Sequence, residues 1–460
     1  MLTLKEILEA TGGILTGKAK KPITGGISID SRTLVRGDVF VAVKGERFDG
    51  HDFIGQVARK GASLVLIDKQ RGQTSSCTRN LKNAAAITGI LEVKDTVTAL
   101  ADLARFQRKK YPVPIIAVTG SNGKTTTKDM ISHLLSARHK VLKNEGTKNN
   151  NIGLPLTLLK LDASFDSAVV EIGTNHPGEV RQLAGICAPN IGVITNIGPS
   201  HLEYFGTLQG VYKEKFSLLA NLAHPRIAIL NKDDAWLKRG LCSAERKSFV
   251  VSFGACNAAD FSSSRVAFSD GRLSFLLNRK YKFTLPTMGY YNIYNALAAV
   301  AVARIFGLDY RTIIARITDF KFPAGRLAMR KIGGVRFIDD TYNANPLSFN
   351  EALKALVATK VKGRKICVMG DMFELGRHSR VFHAQAGEAA SAACDVLIAV
   401  GNLSKHAAEM AASRGLDTQQ VFTCADSVRA KEILRKKIKP GKDDIVLVKG
   451  SRMMKMEKVF

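Results

Sequence analysis

The chain has no pair of cysteines close enough in sequence to chelate a metal or staple a loop. Its seven (Cys77, Cys187, Cys242, Cys256, Cys367, Cys394 and Cys424) are odd in number, far apart and never in a CxxC pair. That excludes a disulfide scaffold and a zinc knuckle, and suits a reducing compartment. Long apolar runs are also missing. The most apolar stretch, around residues 295–308, is too short to span a bilayer and carries Arg304. The opening Met-Leu-Thr-Leu-Lys-Glu-Ile-Leu-Glu-Ala has helical periodicity with early acids, unlike a secretory leader. We therefore expect a cytoplasmic protein with no transmembrane segment.

Acidic residues are scarce. The 40 Asp and Glu face 68 Lys and Arg, a formal net charge of +28. Such a charge raises the question of a nucleic-acid partner, yet no arginine-rich tail and no basic, aromatic-interleaved motif is present. The cations are spread along the whole length, as on a solvated surface, so no specific nucleic acid is expected. No internal repeat or low-complexity segment interrupts the chain. At 460 residues, with 45% hydrophobic and 23% charged residues, it is a folded protein too long for one core.

What is present is concentrated in residues 114–127, Pro-Ile-Ile-Ala-Val-Thr-Gly-Ser-Asn-Gly-Lys-Thr-Thr-Thr. Ile115 to Val118 form the short apolar run of a buried parallel strand. Gly120 and Gly123, with Ser121 and Asn122 between them, permit a tight turn whose N–H groups can approach an anion. Lys124 offers a point charge to β- and γ-phosphates, and Thr125, beside Thr126, a hydroxyl to Mg²⁺, at the positive end of the next helix. The general phosphate-loop pattern has Gly where Val118 stands. The expected ligand is a nucleoside triphosphate with its metal.

Strand and helix alternate from there, with strands expected at 115–119, 167–172, 191–195 and 226–230, and again at 335–339, 364–369, 395–400 and 444–448. Upstream, a helix near 3–11, strands near 26–30, 38–44 and 63–67 and a helix near 52–60 make a small mixed unit. Lys69 to Asn83 read as a polar loop, and a helix near 95–110 ends at Tyr111-Pro112-Val113-Pro114. The expected class is α/β in three domains. These are a small mixed N-terminal unit (1–88), a central phosphate-loop parallel sheet flanked by helices (89–323) and a Rossmann-like C-terminal unit (324–460), which lacks a G-x-G-x-x-G.

In an open parallel sheet, ligands gather at the carboxyl ends of the strands. Glu171 ends one expected strand, and Asn196 and His201 follow the end of another. Taken singly, His201 reads as a hydrogen-bonding loop residue and Glu171 as a surface strand end. Behind a phosphate loop both read as groups converging on the γ-phosphate and Mg²⁺ with Thr125. By spacing alone, Lys213 and Lys215 are two solvated helix lysines.

Several strings resemble those of the Mur ligase family. They are Thr119–Thr127, Asn149-Asn150-Asn151-Ile152-Gly153-Leu154-Pro155, Glu171–His176 and Asn196-Ile-Gly-Pro-Ser-His-Leu-Glu203 in the central part. The resemblance extends to Ile29-Asp30-Ser31-Arg32 and Phe48–Phe53 at the N-terminal side. On the C-terminal side it covers Gly325-Arg326-Leu327, Ile338–Pro346, Gly370-Asp-Met-Phe-Glu-Leu-Gly376 and Lys449–Arg452. Two of these, Asp-Asp-Thr-Tyr-Asn-Ala-Asn-Pro and Gly-Asp-Met-x-Glu-Leu-Gly, are similar to the member that adds D-alanyl-D-alanine to UDP-N-acetylmuramoyl-tripeptide.

The resemblance implies an ATP-driven amide ligation in peptidoglycan precursor synthesis, proceeding through an acyl phosphate, by a monomer. It implies two Mg²⁺ ions, the first on Thr125 and Glu171 and the second on His201 and a carbamylated Lys215. It makes Lys124, Lys215 and His201 catalytic. It puts Asn292 and Asn295 at adenine, Arg326 on the ATP phosphates and Asp340 on the ribose. Ser31 and Arg32 would meet the uridine diphosphate, and Asn149, Asn150, Asn343 and Asn345 the substrates. Tyr291 stands where the family usually has His, Thr147 where it has Asn and Ala328 where it has Glu.

Overall fold

The computed structural model describes residues 2–17, 23–46, 48–72, 84, 88–269 and 271–460. Three sheets follow one another along the chain. The first has five strands in the order Ile14–Gly17, Gly89–Val93, Leu64–Asp68, Val39–Val41, Ile27–Ser28, parallel except for its first strand. Helices Leu4–Thr11 and Thr96–Lys110 close one face, where Ile7, Leu100 and Leu103 pack on Val39, Val41, Leu64 and Leu66. The expected boundary at residue 88 is therefore corrected: Gly89–Val93 completes this sheet, and its helix runs to Lys110. The chain leaves the unit at Tyr111–Pro114, where the prolines stop the helix. Of the expected polar loop, Lys69–Gly72 is a short helix continuing from Asp68. Residues 73–83, Cys77 included, lie outside the described residues.

The central sheet has nine strands. Its parallel part runs Val141–Lys143, Ser167–Glu171, Ile115–Thr119, Ile191–Ile194, Ile227–Asn231, Phe249–Gly254. The phosphate-loop strand, buried at every residue, sits between the strands that carry Glu171 and lead to His201. Beyond Phe249–Gly254 the sheet continues through Phe261–Ser269 into an antiparallel meander with Arg272–Leu277 and Tyr281–Leu285. That extension is absent from the sequence reading, because its alternating, half-exposed residues lack a continuous apolar run. Helix Lys124–Leu135 lies against Asn292–Ile305, whose alanine-rich surface is buried nearly all round. No described helix is long and apolar enough to cross a membrane.

The third sheet is ordered Ala328–Ile332, Val335–Asp340, Ile445–Lys449, Lys365–Gly370, Val396–Val400, Val421–Cys424, all parallel but for the first strand. Its inner strands are buried on both faces, between the apolar clusters around Phe349 and Leu356 on one side and Ala430 and Leu434 on the other. The carboxyl ends of its strands and those of the central sheet border one shared cavity.

Candidate active site

The turn after Ile115–Thr119 takes the shape the glycines allow. Gly120 has φ 147° and Gly123 φ 80°; a side chain on Gly120 would run into the Thr195 hydroxyl, and one on Gly123 into the Asn295 amide. The neighbouring strand end braces the loop. Ser121 N–H donates to Asn196 O (2.9 Å), Asn122 N–H to Asn196 Oδ1 (3.0 Å) and Ser121 Oγ to Gly198 O (2.9 Å). Lys124 Nζ folds back to donate to Gly120 O at 2.9 Å and Ser121 O at 3.4 Å. Burial pushes this ammonium below its ordinary range, opposed by Glu171 nearby.

Glu171 is buried at the end of its strand. Its Oε2 accepts from Thr125 Oγ1 (2.7 Å) and its Oε1 from Asn149 Nδ2 (2.7 Å). Arg326, from the C-terminal unit, donates through Nη2 to Thr125 Oγ1 (3.0 Å) and lies over the Tyr342 ring at 4.1 Å. Asn122 and Asn345 exchange amide hydrogen bonds at 3.2 and 2.9 Å, a second tie between the two units. Asn345 also caps helix Pro346–Ala358. Asn292 and Asn295 form a buried relay in which Thr127 Oγ1 and Asn292 Oδ1 engage Asn295, and Asn292 Nδ2 donates to Thr287 Oγ1.

On the facing wall, His201 holds a left-handed φ of 52°, and its Nδ1 lies 2.5 Å from Glu374 Oε2. The imidazole holds the Glu374 carboxyl below the usual carboxylate range. Asp340 accepts from Leu327 N–H and forms a buried ion pair with Lys449 Nζ (2.5 Å), which also donates to Asn343 O. Apart from Asn292, Thr127, Thr195, Thr287 and Leu327, these side chains border a cavity of about 850 Å³, together with Ser121 to Thr126, Asn150 and Tyr291.

Four expected residues do not line this cavity, and one of them, Asn292, is buried and meets it only through its hydrogen bond with Asn295. Ser31 and Arg32 are in the first unit and do not line this cavity. Arg32 is 85% exposed and grips Asp30 through two hydrogen bonds, which takes the Asp30 carboxyl down to about 2. Lys215 is 1% exposed and is not among the residues that line the cavity, but it is near enough to Lys124 and Glu214 to feel their charges. Burial first, then the charge of Lys124, drives its pKa far below the ordinary lysine range. Lys213, on the same helix, is exposed, so the two are not equivalent solvated lysines. Asn150 borders the cavity, but its Oδ1 is occupied by Ile152 and Gly153 N–H.

The donor set is specific in what it could hold. Thr125 and Glu171 present adjacent hard oxygens, the type Mg²⁺ takes. Among the described residues no three His, Cys, Asp or Glu side chains converge as a ready metal cluster, so a site here needs the hydroxyl and phosphate oxygens as well.

Some site residues escaped the sequence reading. Glu374 and Lys449 sit inside strings already singled out, but their partners His201 and Asp340 are set by the fold. Glu214, next to Lys215, is buried and accepts from Gly178 N–H (2.7 Å), Val180 N–H (2.8 Å) and Thr174 Oγ1 (3.2 Å). It thereby caps helix Glu179–Cys187 and locks the Lys215 helix against it. Glu214→Ala is expected to cost about 1–2 kcal/mol by loss of that cap. An unchanged urea unfolding midpoint would show that the helix start is held by other groups.

Comparison with known proteins defines the class. The description "Mur ligase family, catalytic domain" matches residues 24–108, "Mur ligase middle domain" 118–303 and "Mur ligase, glutamate ligase domain" 325–452. The chain belongs to the Mur ligase family, whose members are ATP-dependent amide-forming ligases. It is 35% identical to the UDP-N-acetylmuramoyl-tripeptide–D-alanyl-D-alanine ligase of Escherichia coli, over all of this chain and 97% of that one. It is 32% identical to the enzyme of the same name from Bacillus subtilis, over 99% of this chain and 97% of that one. A crystal structure of MurF from Acinetobacter baumannii superposes with a TM-score of 0.88 at 30% identity, covering 99% and 97% of the two chains. A MurF ligase from Thermotoga maritima in complex with ADP gives 0.81 at 28% identity, covering 95% and 96%.

Proposed function

We propose that the protein uses ATP to join D-alanyl-D-alanine to the terminal carboxylate of UDP-N-acetylmuramoyl-tripeptide. The observation that carries this reading is the meeting of the phosphate loop, Glu171, Arg326, Asp340 and Glu374 on one cavity, in a chain similar over its whole length to ligases of that name.

ATP phosphorylates the carboxylate, and the dipeptide amine displaces phosphate from the acyl phosphate. Two anions must approach each other for the first step, so the site has to neutralise charge and exclude water. Lys124 stands at the turn where β- and γ-phosphates would lie, its chelation by Gly120 O and Ser121 O exchangeable for phosphate oxygens. Arg326 brings a second cation from the C-terminal unit and, through Thr125, links nucleotide occupancy to closure of the two units. Mg²⁺ on Thr125 and Glu171 would screen the phosphate charge and polarise the transferred group. His201 and a carbamylated Lys215 are the proposed holders of a second ion. Asn295, held by Asn292, would frame the adenine end and Asp340, steadied by Lys449, the ribose. Asn149, Asn343 and Asn345 present amides to the substrates, and Ser31 and Arg32 form a separate surface for the uridine diphosphate.

ADP release is expected to require both the UDP-tripeptide and D-alanyl-D-alanine. Full turnover with a single amino acid, or with no peptide, would overturn the assignment. Arg326→Ala is expected to raise the ATP requirement roughly tenfold or more while leaving the UDP-substrate requirement near the parent value. The opposite pattern in steady-state kinetics would remove Arg326 from the nucleotide.

A further inference from the structure

Lys128 is a buried cation that the reaction outlined above does not use. It lies one turn after Lys124 in helix Lys124–Leu135 and is 1% exposed. A buried ammonium is costly unless every proton finds an acceptor. Here Nζ donates to Asn144 O (2.8 Å) and Gly146 O (3.4 Å) and lies 3.4 Å from Asp129 Oδ1. Burial lowers its pKa, with the Asp129 and Glu171 charges working against that.

The segment it grips carries the partners of Glu171. Strand Val141–Lys143 pairs with Ser167–Glu171 only as far as Lys143 opposite Val169. Past that point the Asn144 side chain takes over the ladder. Its Oδ1 accepts from Glu171 N–H at 2.9 Å, and its Nδ2 donates to Glu171 O at 3.3 Å and Lys148 O at 3.0 Å. At the far end of the same segment, Asn149 O accepts from Gly173 N–H (2.9 Å) and Asn149 Nδ2 holds the Glu171 carboxylate (2.7 Å). Glu171 is thus fixed at its backbone by Asn144 and at its carboxylate by Asn149. Both lie on one loop whose carbonyls are pinned from beneath by a single cation on the phosphate-loop helix.

We infer that Lys128 is a positioning residue. It ties the 144–149 loop to the phosphate-loop helix and so fixes the Glu171 carboxylate against Thr125 in the orientation that receives the metal accompanying the nucleotide. The inference rests on the reading of Thr125 and Glu171 as the metal's oxygen donors. Without the ammonium, Asn144 O and Gly146 O lose their donor, the loop loses its anchor to the phosphate-loop helix, and the carboxylate is held less firmly in its direction. Phosphate contacts made by the glycine turn and Lys124 do not pass through this loop, so nucleotide binding without metal is spared.

The test separates those two terms. In Lys128→Met, which keeps bulk and removes the charge, ADP affinity measured by calorimetry in EDTA is expected to stay within about twofold of the parent. Mn²⁺ affinity of the ADP-loaded protein, read from the paramagnetic resonance of free Mn²⁺, is expected to fall tenfold or more, the size of effect that outer partners of metal ligands carry. Lys128→Gln, which restores a donor toward Asn144 O, is expected to fall between the two and serves alone if the Met variant does not fold. Unchanged Mn²⁺ affinity in whichever variant folds, or an equal loss of ADP affinity in EDTA, would overturn the inference. A parent protein that binds ADP but no Mn²⁺ would instead remove the reading of Thr125 and Glu171 on which it rests.

Discussion

Lys124→Ala is expected to lower turnover on the order of a thousandfold or more, with the fold intact. The residue is half-buried, and among the described residues its hydrogen bonds go to carbonyls of its own turn. Those carbonyls reach other donors or water when the side chain is gone, so little stability depends on it. On the proposed mechanism its charge would act where negative charge accumulates, between the γ-phosphate and the attacking carboxylate. A preorganised donor aimed at such a point contributes about 3–4 kcal/mol to the barrier, and a full cation in a water-excluded site no less. The loss should fall mainly on kcat, since the backbone N–H groups of the turn still bind phosphate. Activity within tenfold of the parent, together with an unchanged melting temperature, would show that the turn is only structural.

Lys215→Ala is expected to be nearly inactive, down roughly a hundredfold or more, and partly rescued by formate or acetate. Burial, with the charge of Lys124, drives the Lys215 pKa well below the ordinary lysine range, which favours the neutral amine. A neutral amine can attack CO₂: the N–C bond forms, one C–O π bond opens to carry the negative charge, and the amine proton passes to solvent. The proposed product would supply two carboxylate-like oxygens, the donors Mg²⁺ prefers, where the unmodified lysine would repel it. Short carboxylic acids have the same donor atoms and fit the space an alanine vacates. Activity should also fall in CO₂-depleted buffer and return with bicarbonate. Lys215→Met, which removes the buried charge, is expected to melt no lower than the parent although it is inactive. Lys213→Ala is expected to be mild, because that side chain is in solvent. Equal tolerance of the Lys213 and Lys215 substitutions, or a mass spectrum and activity indifferent to bicarbonate, would end the carbamate reading.

Strands buried on both faces were legible from composition. Ile115–Thr119, Val396–Val400 and Ile445–Lys449 are continuous apolar runs because helices or other strands cover both sides. Some of the strands that went unread have exposed faces. Ile14–Gly17 and Ala328–Ile332 are edge strands with little buried surface, and each exists because a partner distant or adjacent in sequence accepts its hydrogen bonds. The misplaced boundary at residue 88 has a different origin, since Gly89–Val93 is a buried inner strand. Gly89–Val93 looks like the start of a new apolar unit, yet Leu64–Asp68 and Ile14–Gly17 claim it from both sides.

Local chemistry was within the reach of sequence. The glycine turn, Lys124, Thr125 and the strand-end position of Glu171 follow from residue type and spacing, because a phosphate loop is built from consecutive residues. The partners that direct those groups come from far along the chain. The Arg326–Thr125 contact, the Lys449–Asp340 pair and the Glu374–His201 pair each join segments separated by a hundred residues or more. The same holds for burial. Lys213 and Lys215 are two identical side chains two positions apart on one helix, and nothing in their immediate sequence says that one is in water and the other is enclosed beside Glu214. Helix geometry turns them to different faces, but only packing against Gly178–Val180 decides which face is the inside. Residue identity thus determined which chemistry the chain can perform. The free energy of burying and pairing charges across three packed sheets, a property of the whole fold, decided which lysine is enclosed and which carboxylate is held in place.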